Sequence, residues 1–250
     1  MSDQIFVGRE LEMDVLADGL REVIRTNASQ VYMITGNAGS GKTSLIENFA
    51  EYVEDEYTER IFVAVGKCNA QTGPNDTYLP FREILSQITG VQSRALRSSM
   101  STRPIGWLRS FADSALETLI EHGPDLIGTL VPGSAFLARL ATSTLGQTLK
   151  KKAESRAGNQ EVKREEVKKQ YSSVLQNFSK HTTIVLILDD LHWADEASLD
   201  LFTHLATSLK KHPVLIIGTY RSEDVKDDHP LVKVVRDLKA DYGDIVIDLQ

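Results

Sequence analysis

With 250 residues the chain can bury a full core, as one large domain or two small ones, and its apolar fraction of 41% is that of an ordinary globular protein. Thirty-five acidic against 28 basic side chains leave a formal net charge of −7, which argues against a whole-domain electrostatic footprint for nucleic acid. The single cysteine, Cys68, rules out an intrachain disulfide and a cysteine-built zinc site, and fits a reducing, cytoplasmic setting.

The start, Met1-Ser2-Asp3-Gln4, is acidic and no long apolar run follows, so no signal peptide is expected. Ile5 to Glu10 leads into a helix pattern with Leu11, Val15, Leu16, Leu20, Val23 and Ile24 on one side. Asn27 to Gln30 reads as a turn and Val31 to Ile34 as a strand. The glycine-rich stretch Gly36 to Thr43 follows, and then a helix to about Glu56. Ile61 to Val65 is a second strand, Gly73 to Asp76 a loop, and Pro80 suits the first turn of a helix through Ile88.

Between Gly90 and His181 helices are expected over Ile105 to Ile120 and Val162 to Phe178, with breakers at Gly123-Pro124 and Pro132-Gly133. The apolar stretch Leu126 to Leu140 contains those later breakers and Arg139, and is too short to span a membrane. Charges are dense and mixed from Lys150 to Lys169, with no interleaved aromatic residue. A solvated helix face or an insertion therefore explains the segment better than a nucleic-acid patch.

Ile184 to Leu188 is a buried-strand run, a helix follows from about Glu196 to Leu209, and Pro213 to Gly218 is a fourth strand. His229-Pro230 starts another helix and Asp244 to Leu249 is a fifth strand. Strands alternating with helices imply an α/β fold of three layers, a parallel five-stranded sheet covered on both faces, with a helical insertion at about 90–181.

Gly36-Asn37-Ala38-Gly39-Ser40-Gly41-Lys42-Thr43 fits the G-x-x-x-x-G-K-[ST] phosphate-binding loop in its strand–loop–helix context. Gly36, Gly39 and Gly41 can take positive φ, so backbone N–H groups can turn onto a phosphate, and the helix start adds its positive end. Lys42 is a mobile charge for the β- and γ-phosphates, and the Thr43 hydroxyl is placed to ligate Mg²⁺. Asn37, Ala38, Gly39, Ser40, Gly41, Lys42, Thr43 and Ser44 are the expected nucleotide-contacting set.

Hydrolysis also needs a metal anchor and a group that orients water. The run ending in Asp189-Asp190 supplies both: Asp189 as a metal partner, through water, and Asp190 as the base. Arg221 ends the next strand. If that strand lies between the first and third, its guanidinium faces the γ-phosphate and reports ATP against ADP. Asp195 is first of all the N-cap of the helix from Glu196. Trp193 is expected to be a packing anchor, and His192 to sit at the surface or behind the site.

Phe6-Val7-Gly8-Arg9-Glu10, the phosphate loop, Leu188 to Asp195 and Gly218-Thr219-Tyr220-Arg221 together resemble the nucleotide-binding domain of STAND-type signalling ATPases, an AAA-like group of P-loop NTPases. The resemblance runs from about Phe6 to Leu249. It implies the additional-strand form of the sheet, with the Arg221 strand between the phosphate-loop and Asp189 strands. It implies ATP/ADP with Mg²⁺, adenine against the segment containing Val7, Gly8 and Arg9, and a switch between ADP-bound closed and ATP-bound open forms. A nucleotide-dependent homo-oligomer and a longer parent chain are further implications, because the helical, winged-helix and sensor regions of the family have no counterpart within these residues. The competing readings are an initiator or loader ATPase acting on DNA and a nucleotide-binding module without turnover. A guanine-reading Asn-Lys-x-Asp is missing, which disfavours GTP.

Overall fold

The structure is a computed structural model that describes residues 8–57, 61–70, 77–90, 106–131 and 164–249. Five strands form one parallel sheet: β1 (Gln30–Thr35), β2 (Ile61–Lys67), β3 (Thr183–Asp189), β4 (Val214–Tyr220) and β5 (Val246–Asp248). The order across the sheet is β2-β3-β4-β1-β5, so β4 lies between β1 and β3 as the resemblance implies.

Side chains along these strands alternate between faces, and each face has its own core. Val185, Ile187, Leu215 and Ile217 point to the side covered by helices α1 (Glu10–Thr26) and α2 (Lys42–Glu56), where Leu16, Leu20, Leu45 and Phe49 are fully buried. Ile184, Leu186, Leu188, Val214 and Ile216 point to the other side. That side is covered by α3 (Leu79–Ile88), α4 (Gly106–His122), the short α5 (Leu126–Thr129), α6 (Arg164–Ser179), α7 (Glu196–Ser208) and α8 (Pro230–Tyr242). The result is a three-layer α/β/α fold of the P-loop NTPase type.

The ends of the helices have local causes. Asn27 takes a left-handed conformation (φ 55°) and closes α1 by donating its N–H to the Val23 carbonyl. Asp195 caps α7, accepting from the N–H groups of Ala197 and Ser198, as its position before Glu196 implies. His229 does the same for α8 through Nδ1, with Pro230 at the first helical position.

Several bounds differ from the sequence expectation. β4 runs on to Tyr220, which makes Thr219 a strand residue paired with Ile34. β5 is only three residues long, because its pairing with β1 covers just Met33 to Thr35. The predicted loop at 73–76, the second breaker at 132–133 and most of the charged run at 150–169 lie outside the described residues.

β2 is an edge strand, and α3 covers its edge. The Gln87 side chain accepts from the Val65 N–H (2.9 Å) and donates to the Val65 carbonyl (2.5 Å), while Glu83 accepts from the Lys67 N–H (2.7 Å). Gly66 lies between these residues, and a Cβ there would meet the Pro80 carbonyl oxygen at 2.1 Å. Gly66→Ala is therefore expected to push α3 off the edge and cost about 1–3 kcal/mol, the usual range for overpacking. Urea unfolding of the variant against the parent measures it, and an unchanged midpoint would contradict the close packing.

Candidate functional site

The carboxyl ends of β1, β3 and β4 converge on one edge of the sheet, where the loop Gly36 to Gly41 leaves β1. Gly36, Gly39 and Gly41 all adopt positive φ (154°, 78° and 92°). At Gly36 a Cβ would also meet Ser40 Oγ at 2.6 Å, so the serine hydroxyl would have to shift as well. Lys42, the first residue of α2, turns back over the loop. Its ammonium donates to the carbonyls of Gly36 and Asn37, both at 2.8 Å, and more weakly to Ser40 Oγ at 3.4 Å. Burial lowers the Lys42 pKa and Arg221 lowers it further, while Asp190, Asp189 and Glu223 pull it back up. Thr43 and Ser44 are exposed on the first turn of the same helix.

Arg9 reaches this loop from the start of α1. One guanidinium nitrogen donates to the Ser40 carbonyl (3.2 Å) and the Leu249 carbonyl (3.3 Å), and the other to Glu12 (2.8 Å). Gly8 precedes it with φ 94°, and Val7 lies outside the described residues.

Asp189 is buried at the end of β3. Its Oδ1 accepts the Thr219 hydroxyl at 2.6 Å, and its Oδ2 faces the ammonium of Lys67 at 3.2 Å. Burial works to lower the Lys67 pKa, but Asp189, helped by Asp190 and Glu47, raises it above the usual lysine value. The next residue, Asp190, takes a left-handed backbone (φ 60°, ψ 44°), which aspartate tolerates better than most side chains. Its N–H donates to Thr219 Oγ1 at 2.9 Å. One hydroxyl thus donates to Asp189 and accepts from Asp190.

The residues present fit a hard divalent cation. Asp189 offers an oxygen whose partner, Lys67, is itself a half-exposed cation, and the Thr43 hydroxyl is open at the start of α2. Among the described residues, no group of three or more His, Cys, Asp or Glu side chains forms a metal cluster of its own.

Arg221 directly follows β4, so the strand order puts it at the edge shared by the loop and Asp189-Asp190. Its guanidinium is 3.9 Å from Asp224. The short 3-10 turn Ser222–Asp224 leans on the phosphate loop: Ser222 Oγ donates to Asn37 Oδ1 (3.2 Å), and Glu223 accepts the Ala38 N–H (3.0 Å). A carboxylate thus sits on one of the loop's backbone amides.

Three residues of this neighbourhood have no role assigned from the sequence: Lys67, Thr219 and Glu223. Thr219 belongs to the Gly218-Thr219-Tyr220-Arg221 segment, but its sequence position implies no partner for it. Lys67 meets Asp189 only through the register of β2 against β3, which pairs those two positions. Of the two positions expected for His192, the structure shows the one behind the site: it is buried, with Nε2 3.9 Å from Asp190 Oδ1. Trp193, expected to be a packing anchor, is 40% exposed, because it sits on a one-turn 3-10 helix (Leu191–Trp193) whose buried positions are taken by Leu191 and His192.

Residues 5–217 match the family model described as AAA ATPase domain. The chain belongs to this family. A comparison with curated proteins gives no match. Solved structures similar to this AAA ATPase domain include Cdc6p from Pyrobaculum aerophilum, at 15% identity and a TM-score of 0.44, covering 100% of this chain and 47% of that one. The Aeropyrum pernix ORC1 protein in complex with DNA is similar at 15% identity and a TM-score of 0.41, covering 97% and 45%. C. elegans PCH-2 is similar at 13% identity and a TM-score of 0.39, covering 97% and 42%. The AAA ATPase domain here spans less than half of each of those chains. No helix among its described residues is long and apolar enough to cross a membrane.

Cys68 follows β2 and donates its N–H to the Asp189 carbonyl (2.9 Å). Burial pushes its thiol far up, and the carboxylates of Asp189 and Asp190 add to that. The native thiol is therefore expected to resist iodoacetamide under mildly alkaline conditions in which the urea-unfolded protein is readily alkylated. For the Thr219 bridge, Thr219→Val is expected to cost about 1–3 kcal/mol by leaving Asp189 and the Asp190 N–H short of a partner, and Thr219→Ser to recover most of it. Equal denaturation midpoints for the two variants would contradict the bridge.

Proposed function

We propose that this AAA ATPase domain binds ATP at Gly36 to Ser44 and hydrolyses it slowly, as the nucleotide-binding part of a STAND-type signalling switch within a longer chain. On this reading it is one domain with its helical insertion at about 90–181, and it works in the cytoplasm. The observation that carries the reading is the contact of the turn after β4 with the phosphate loop, through Ser222 to Asn37 and Glu223 to Ala38. A phosphate on the Ala38 amide would compete with the Glu223 carboxylate. Nucleotide arrival would then be felt at once by the segment that carries Arg221 and Asp224.

In the proposed site the loop amides and Lys42 hold the β- and γ-phosphates, Lys42 exchanging its carbonyl partners for phosphate oxygens. The Thr43 hydroxyl and, through water, Asp189 would hold Mg²⁺, which when bound would neutralise phosphate charge. Thr219 fixes the Asp189 carboxylate, and Asp190 accepts a proton from the attacking water. The water oxygen bonds to the γ-phosphorus, the bond from that phosphorus to the bridging oxygen breaks, and ADP leaves. Arg221 responds to the γ-phosphate, while Val7, Gly8 and Arg9 line the adenine side. Arg9 supports that placement by reaching the loop at Ser40.

Lys42→Ala is expected to weaken ATP binding about a hundredfold or more in a titration, since a charge partner of the phosphates is lost. Unchanged affinity would sink the assignment of the loop. Asp190→Asn is expected to bind Mg·ATP as the parent does and to release phosphate about 10²–10⁴-fold more slowly. A parental rate would remove Asp190 from its role, and a parent that binds ATP without turnover would favour the binding-module alternative. Salt-sensitive duplex binding would instead favour an initiator or loader ATPase.

A further inference from the structure

His192 occupies the second position of the 3-10 turn that follows Asp190, and its side chain is 0% exposed. Its Nδ1 is the acceptor of the Arg221 N–H at 3.4 Å, and its carbonyl lies 3.3 Å from His229 Nε2. A ring nitrogen that accepts carries no proton, so the neutral imidazole bears its hydrogen on Nε2. That Nε2 is buried and has no hydrogen-bond partner among the described residues.

Two carboxylates flank it: Asp224 Oδ2 at 3.6 Å and Asp190 Oδ1 at 3.9 Å. Both separations exceed a hydrogen bond, and a shift of less than an ångström or so closes either one. A buried donor left unpaired is costly, so its retention between two acceptors calls for an explanation. Burial lowers the His192 pKa, opposed by Asp190 and Asp224 and assisted by Arg221 and Lys42, which keeps the ring a neutral donor.

We propose that His192 is a positioning residue whose Nε2–H donates to Asp190 in the working site, with Asp224 as the competing acceptor. The backbone of Arg221 holds one ring nitrogen and leaves the other to the base, so the imidazole joins the β3 end to the turn after β4. When Asp224 draws toward Arg221, now 3.9 Å away, the donor is released to Asp190 and the carboxylate is fixed for its water. When Asp224 takes the donor, Asp190 is left loose. The inference rests on Asp190 as the base proposed above.

Two substitutions separate the ring nitrogens. Glutamine keeps an N–H near the Nε2 position, and asparagine keeps an acceptor near the Nδ1 position. Full-length His192→Gln, His192→Asn and His192→Ala proteins are compared for Mg·ATP affinity and for phosphate release. All three are expected to bind within about threefold of the parent. Turnover is expected to fall about tenfold or more in His192→Asn and His192→Ala, and to return to within about threefold in His192→Gln. Equal rates for His192→Asn and His192→Gln, or parental rates in all three, overturn the proposal.

Ring-nitrogen NMR of ¹⁵N-histidine protein, with His192 assigned by its loss in His192→Gln, gives a readout independent of turnover. It is expected to show an Nε2–H tautomer at neutral pH. The Nε2–H proton is expected to shift downfield on addition of a non-hydrolysable ATP analogue with Mg²⁺ in the parent, but not in Asp190→Ala. An Nδ1–H tautomer, or an identical shift in Asp190→Ala, overturns the proposal. If the parent releases no phosphate, the ATPase reading fails and the ring-nitrogen result alone decides the role of His192. If His192→Ala does not fold, the Asn and Gln variants still decide it.

Discussion

The candidate site depends on one hydroxyl. Thr219 donates to Asp189 and accepts from the N–H of Asp190, and it is completely buried. Two successive acidic residues at a strand end would repel and splay if left to solvent. The hydroxyl instead binds the first by its side chain and the second by its backbone. It can do so only because β4 lies between β1 and β3, with Leu188 opposite Gly218. The neighbouring position is tight for a different reason: a Cβ at Gly218 would meet the end of the Leu191 side chain at 2.6 Å, on the face opposite Thr219, and would force it to shift. Close approach on one side and a hydroxyl on the other both follow from the strand order.

Charge in this pocket is balanced by internal partners. Lys42 rests on loop carbonyls, Lys67 on Asp189, and Glu223 on the Ala38 amide. Each contact pairs a group suited to a phosphate or a metal with a protein atom of the opposite character. Such a site is preorganised, and it also trades hydrogen bonds on binding instead of creating them from nothing. The net affinity for nucleotide is then a difference between two sets of contacts. Changes at Glu223 or Lys67 can tune it without touching the loop.

Much of this is legible in the sequence. The loop glycines, Lys42 and the Asp189-Asp190 strand end are fixed by spacing alone, because phosphate cradles and buried strands each impose a local pattern. The sheet order was legible only through the family resemblance, since nothing in the strand compositions says that β4 lies between β1 and β3. Lys67 was invisible for the same reason: its meeting with Asp189 is a matter of register between strands more than 115 residues apart. Trp193 departs from its expected packing role, and the choice between surface and buried positions for His192 stayed open, because a 3-10 turn of three residues carries no periodicity from which burial could be read. The His192 ring is held by Arg221, whose N–H it accepts from another strand's end.

The same strand order governs how the chain is made. β1, which carries the loop, is paired on both sides by strands that come late: β4 begins about 180 residues after β1 ends, and β5 later still. At ribosomal rates of ~5–20 residues per second, β1 waits about 10–40 s for a neighbour on either side. Arg9 waits as well, since one of its acceptors is the Leu249 carbonyl. During that interval an apolar strand with two open edges is exposed to pairing with the wrong partner. Folding of this domain is therefore slow to commit and open to chaperones, because the loop that is synthesised early is among the last parts to be secured.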